Sequence, residues 1–275
     1  MTPGLSKYIS GPRPLCKALK MGETDWPKAF LVDLDNTLHD YRKIAHVARS
    51  TLAHRIEELC GVPADEVLKH YEQVIRAEEG TVARSAHDMR MARVQKLLAT
   101  LPGTVSIAPD ELVKVLEDSL LREVRPFEGA LEAFHQLRLT ATTMIVTEGY
   151  DDMQRAVIGR LGLSLRDDEL LATYRHGVRK IDGSAYKLAH KWLNIPAADI
   201  VVVGDNWSWD VLASSGVGMC PIWVRGTDPV PADQPLNYLG SVQSFKEVPP
   251  FISELCRVRG SLRPSCAPPR ERIPH

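Results

Sequence analysis

The chain has 275 residues, with 34 lysines and arginines against 35 acids and a formal net charge of −1. The missing basic excess argues against a dedicated nucleic-acid binder or a polybasic membrane anchor, and 44% apolar with 25% charged residues argues against wholesale disorder. Apolar runs such as Ile200–Val203 fall far short of the roughly 18 residues of a membrane span, and five scattered cysteines without CxxC spacing suit a reducing cytoplasm.

In chain order, residues 1–27 are rich in Gly and Pro and carry no acid before Glu23. No apolar stretch of the signal-peptide kind follows their basic residues, so they read as a flexible leader; an acid-poor transit peptide and a true start at Met21 are the alternatives. Ala29–Asp33 is a short, buried-type strand, and the polar residues after it form its carboxyl-end loop. The next core helix starts only near Pro126–Gly129, whereas such loops usually run about 2–6 residues. Residues 39–125 are therefore an insertion. Within it Ile44, Ala48, Leu52, Ile56 and Leu59 step by three or four until Gly61 and Pro63 end the helix. Val67, Leu68, Tyr71, Val74 and Ile75 predict a second helix, Met89–Leu98 a third, and Pro109 through Leu120 a fourth. An all-α cap with hinges at 38–42 and 122–127 is expected, acting as a lid.

Thr142–Val146 and Ile200–Val203 are two more buried-type strands, with helices predicted at Asp151–Leu163 and Gly183–Leu193. Strands alternating with helices predict an α/β fold: a Rossmann-like, doubly wound parallel sheet built from residues 28–38 and 126–250. Residues 257–275 carry four prolines and five arginines and read as a disordered tail.

In such a sheet the ligand crevice lies beyond the carboxyl ends of the strands. Asp33 and Asp35 end the first strand, Thr147-Glu148-Gly149 the second, and Gly204-Asp205 with Asp210 the third. Four acids converging on one crevice require a cation among them, and hard oxygen ligands without a cage suit Mg²⁺. The Thr147-Glu148-Gly149 loop opens a helix, so its hydroxyl and backbone N–H groups suit an anion, and Lys180 adds positive charge. Together they describe a phosphoryl-transfer site. Each motif alone would be a solvated turn; their common placement at strand ends gives them meaning.

These residues resemble the haloacid dehalogenase superfamily of phosphohydrolases over roughly residues 28–245. Asp33, Asp35 and Thr37 match its DxDxT motif, Thr147 its second motif, Lys180 its third, and Gly204, Asp205 and Asp210 its GDxxxxD motif. An insertion after the first motif is what that family calls a type-one cap. The resemblance implies that Asp33 is the nucleophile and Asp35 first the acid, then the base. It further implies that Mg²⁺ is held by Asp33, the carbonyl of Asp35 and Asp205, with Asp210 orienting metal waters, and that Thr147, Glu148 and Lys180 bind phosphate. Glu148 stands where Asn is frequent, and Ile181-Asp182-Gly183 where many relatives have Pro-Asp-Pro. Relatives that dehalogenate haloacids lack an acid at the Asp35 position, which disfavours that chemistry here.

The function implied is a Mg²⁺-dependent phosphatase acting on a small-molecule phosphate monoester, a nucleoside monophosphate (as a nucleotidase would) or a sugar phosphate. A phosphomutase on the same core, and a phospho-ligand-binding protein without turnover, are the alternatives. The chain is expected to be a cytoplasmic monomer or homodimer that binds neither nucleic acid nor membrane. His39, Tyr41 and Arg42, at the hinge, are expected to line the mouth. Arg84, His87 and Arg90 form either a solvated helix face or one turned to the crevice, and Trp207 and Trp209 either stack a base or, as loop aromatics more often do, pack against the cap. Of two candidate lysines, Lys180 lies in the loop, whereas Lys187 falls inside the following helix and is expected to face solvent.

Overall fold

The computed structural model describes residues 26–77, 83–103 and 107–261. Almost all of the expected leader, and the tail beyond residue 261, lie outside them. The elements are, in order, β1 (Ala29–Val32), α1 (Tyr41–Cys60), α2 (Ala64–Ala77), α3 (Ala86–Thr100), α4 (Pro109–Arg122), α5 (Ala130–Thr140) and β2 (Thr142–Thr147). There follow α6 (Asp151–Arg160), β3 (Leu170–Ala172), α7 (Ser184–Leu193), β4 (Ile200–Gly204), a π turn (Trp207–Leu212) running into α8 (Ala213–Gly216), β5 (Cys220–Val224), β6 (Gly240–Val242) and α9 (Val248–Ser261).

Among the described residues the six strands form one parallel sheet in the order β3-β2-β1-β4-β5-β6. Strand order reverses beside β1, so the crevice opens between the carboxyl ends of β1 and β4. Register is fixed by burial on both faces: Val32 pairs with Ile145 on one side and Val203 on the other. Along β1, Phe30 and Val32 join one apolar cluster and Ala29 and Leu31 the other. Phe30, Leu31 and Val32, fully buried, each contribute about 1.5–3 kcal/mol, and slipping the strand by one residue would exchange the two faces.

The insertion is helical, as the periodicity predicts. The Asp40 side chain caps α1 by accepting from the Lys43 N–H at 3.0 Å, and Gly61, at φ 76°, ends it. Ser85 caps α3, and Pro109 opens α4 where its missing N–H costs nothing. Ile44, Leu52 and Ile56 of α1 pack with Val94 and Leu97 of α3 and Leu112 and Leu116 of α4 in the same apolar cluster that underlies the sheet. The chain's exit and return run side by side: the Phe127 N–H donates to the Leu38 carbonyl at 2.9 Å, and His39 bridges Pro126.

Two boundaries move. Trp26 is buried and its indole N–H donates to the Ala198 carbonyl at 3.1 Å, so Trp26 and Pro27 pack with the core rather than with a leader. At the other end α9 continues through Ser261, so residues 257–261 are helical rather than tail, because Phe251, Ile252 and Leu255 anchor that helix in the core. β3, β5, β6 and α9 carry too little periodicity to be predicted individually. No helix among the described residues is long and apolar enough to cross a membrane.

Candidate active site

β1 and β4 are adjacent, so the carboxylates that follow them meet. The Asp33 N–H donates to the Val203 carbonyl at 2.9 Å, extending the sheet by one bond and fixing Asp33 at the crevice floor. Oxygens of Asp33, Asp205 and Asp210 all lie within 4.8 Å of one another. Thr37 donates to Asp33 Oδ2 at 2.8 Å, and Lys180 donates to Asp33 Oδ1. The same ammonium donates to Asp210 Oδ1 at 2.7 Å, where the Tyr186 hydroxyl also donates at 2.8 Å. Asp210 Oδ2 accepts from the Asn206 N–H at 3.0 Å. Asp210 is thus held by Lys180, Tyr186 and Asn206, and Asp33 by Lys180 and Thr37, whereas Asp205 meets the exposed Arg42.

Backbone shape makes this possible. Asp210 is presented by the π turn, a conformation often found at functional sites. A Cβ on Gly204 would sit 2.3 Å from the Asp210 carboxyl, so only glycine admits that side chain.

The electrostatics report crowding. Burial, assisted by Asp210 and Asp205 and opposed by Lys180, pushes the Asp33 carboxyl well above the ordinary range. Burial and the Asp210 charge push Asp205 up to about 6, against the pull of Arg42 and Lys180. Burial lowers the Lys180 pKa, but Asp210 and Asp33 outweigh it and hold the ammonium above its usual value. Burial and Asp210 likewise raise Tyr186, which stays a hydrogen-bond donor. An all-oxygen set repelling itself, with one lysine, fits a small hard divalent cation such as Mg²⁺.

Thr147 closes β2 fully buried, and its hydroxyl has no hydrogen-bond partner among the described residues. Leaving such a group unpaired costs about 1–3 kcal/mol, which a bound anion would recover. Glu148 does not offer its side chain to an anion. It accepts from the Lys180 N–H at 2.9 Å and pairs with Arg179, tying the second motif to the third. Lys187 is exposed, as expected.

The hinge residues part company. His39 is fully buried and does not line the mouth, because its backbone is pinned between Asp35 and Pro126; its imidazole meets Asp35 Oδ1 at 2.8 Å. Tyr41 is half-buried against the core cluster. Arg42 is exposed but reaches Asp205 Oδ2 at 3.1 Å. Of the helix row, Arg90 is buried on Glu117 at 3.0 Å, His87 meets the same glutamate, and Arg84 is a solvated partner of Asp88. Trp207 packs edge-on against Trp223 and Tyr238 rather than against the insertion, because the π turn folds it back over β5; Trp209 is partly exposed.

Sequence reasoning missed Tyr186, Gln154 and Arg179. Tyr186 reads as one more apolar helix position, and Gln154, which donates to Asp35 Oδ2 at 3.0 Å, meets a residue 119 positions away.

The family model described as haloacid dehalogenase-like hydrolase matches residues 27–218. A glyceraldehyde 3-phosphate phosphatase from Pyrococcus abyssi is 27% identical over 202 residues, covering 72% of this chain and 81% of that protein. The pyrimidine 5'-nucleotidase YjjG of Escherichia coli is 23% identical over 122 residues, 44% of this chain and 54% of that protein. Among solved structures, a haloacid dehalogenase-like family hydrolase from Xanthomonas campestris superposes with a TM-score of 0.63 at 16% identity, covering 86% of this chain and 94% of the other. A 2-haloacid dehalogenase from Pseudomonas syringae gives 0.61 at 21% identity, covering 83% and 99%. At such identities the structural likeness speaks for the fold alone.

Proposed function

Because the chain belongs to the haloacid dehalogenase-like hydrolases, we propose that it hydrolyses small-molecule phosphate monoesters through an aspartyl phosphate on Asp33. The observation that carries this reading is the buried ammonium of Lys180 shared between Asp33 and Asp210, one strand end away from the unpaired Thr147 hydroxyl. The phosphatase and nucleotidase names of the relatives support it.

In this mechanism an Asp33 oxygen forms a bond to phosphorus as the bond to the ester oxygen breaks, and Asp35 gives its proton to the departing oxygen. A water then attacks phosphorus, losing a proton to Asp35, and the bond to Asp33 breaks to release phosphate. Lys180 and Thr147 neutralise the phosphoryl oxygens as charge redistributes. Glu148 holds the backbone of Lys180 in place. Asp33, Asp205 and the carbonyl of Asp35 would hold Mg²⁺, which when bound would supply further charge neutralisation at those oxygens. Residues 39–125 act as a lid that shapes access, with hinges at 38–42 and 122–127. A triose or other sugar phosphate, or a nucleoside monophosphate, is the substrate class.

The test is phosphate release from glyceraldehyde 3-phosphate, hexose phosphates and nucleoside monophosphates, with and without Mg²⁺. Release of phosphate that depends on the cation is expected. Halide release from 2-haloacids without phosphate release would overturn the reading.

A further inference from the structure

Asp35 is held from two sides by side chains of unequal freedom. His39 is fully buried, and its backbone is fixed by bonds from the Asn36 and Tyr41 N–H groups to its carbonyl at 2.8 and 3.1 Å. Its Nε2 lies 2.8 Å from Asp35 Oδ1, while Nδ1 has no partner among the described residues. Tautomers are therefore unequal: with Asp35 ionised, only the form carrying its proton on Nε2 makes the bond. Gln154 comes from the other wall, in the first turn of α6. Its Nε2 donates to Asp35 Oδ2 at 3.0 Å and its Oε1 is buried with no partner among the described residues. Gly149 leaves it that path, because a Cβ there would lie 2.5 Å from Gln154 Nε2.

We propose that His39 and Gln154 are positioning residues with different tasks: His39 holds Oδ1 permanently, and Gln154 guards Oδ2 until the ester oxygen of the substrate replaces it. The asymmetry follows from the anchoring. The imidazole is pinned by the hinge backbone, whereas the glutamine turns on three side-chain torsions and can swing away, so that Oδ2, once it carries the proton, donates to the ester oxygen instead of accepting from the amide. Oδ2 is then the oxygen that delivers and collects the proton. Fixing it in one rotamer keeps it aimed at the reacting atoms, where small misplacements are costly.

The inference rests on the phosphatase reading, so wild type is assayed beside every variant. His39→Leu, His39→Gln, His39→Asn and Gln154→Met are compared in kcat and KM on the best ester. A Gln amide can stand where Nε2 stands; an Asn amide falls short. His39→Leu and His39→Asn are expected to lose about 10²-fold or more in kcat with KM within about threefold. His39→Gln should recover to within about tenfold of wild type, and Gln154→Met, which leaves Oδ2 unguarded before substrate arrives, should lose about three- to tenfold in kcat, well short of His39→Asn. With para-nitrophenyl phosphate, whose departing oxygen needs no proton, His39→Asn should give a burst of about one equivalent before slow turnover. If His39→Leu does not fold, His39→Asn decides. Wild-type kcat in folded His39→Asn, or no recovery in His39→Gln, overturns the inference. So does a loss in Gln154→Met as large as that in His39→Asn. If wild type itself releases phosphate from no ester, the phosphatase reading fails instead.

Discussion

The ammonium of Lys180 donates to the carboxylate of Asp33 across 147 residues of chain, with both groups buried. Breaking a buried pair leaves the surviving charge uncompensated, and here the survivors would be Asp33, the proposed nucleophile, and Asp210. Lys180→Ala should therefore lose about 10²–10³ in rate, as expected for an electrostatic stabiliser. Lys187→Ala, one turn into α7 and exposed, should stay near wild type. Steady-state assays of the two purified variants decide this, and the reverse order would place the third motif on the wrong lysine.

Asp33→Asn should abolish turnover, to below roughly 10⁻³ of wild type, because no other acid stands at that position. Its shape is conserved, and Lys180 keeps Asp210, so circular dichroism should report an unchanged fold. Phosphate release at the wild-type rate, with contamination excluded by an active-site titration, would sink the mechanism.

The pH response follows from Asp205, whose carboxyl is pushed up to about 6 by burial and by Asp210. The unfolded chain returns it to about 3.9. The folded protein thus binds this proton more tightly than the unfolded chain does. In the metal-free protein the group costs stability above pH 6, and that cost fades as pH falls from about 6 toward 4. A divalent cation relieves the same repulsion but must displace the proton at low pH. Mg²⁺ should therefore raise Tm clearly near pH 7.5 and much less near pH 5, a comparison made by thermal scans after chelation. Equal shifts at both pH values would remove Asp205 from the cation site.

Gly204→Ala should disturb the site from behind. The added methyl would meet the Asp210 carboxyl at 2.3 Å, with Lys180 and Tyr186 bonded to its far side. Overpacking of this kind costs about 1–3 kcal/mol, and displaced Asp210 can no longer share Lys180 with Asp33. Lower Tm and at least tenfold lower activity, about 1.4 kcal/mol in the barrier, are expected together. An unchanged Tm would show that the π turn yields.

The sequence by itself determined the sheet's central strands, the helical insertion and the four motifs. Those are local: apolar runs such as Ile200–Val203 announce buried strands, three-and-four spacing announces α1 to α4, and a strand that ends in Asp33 puts that acid at the sheet's edge. Tertiary structure decided the partners. That Gln154 reaches Oδ2 of Asp35, that Tyr186 braces Asp210, and that Glu148 turns to Arg179 and Lys180 all depend on residues brought together from distant positions. No periodicity encodes such contacts. They are fixed by the parallel register that sets β1 between β2 and β4, because in a buried sheet a one-residue slip is forbidden and every side chain at the strand ends inherits its place.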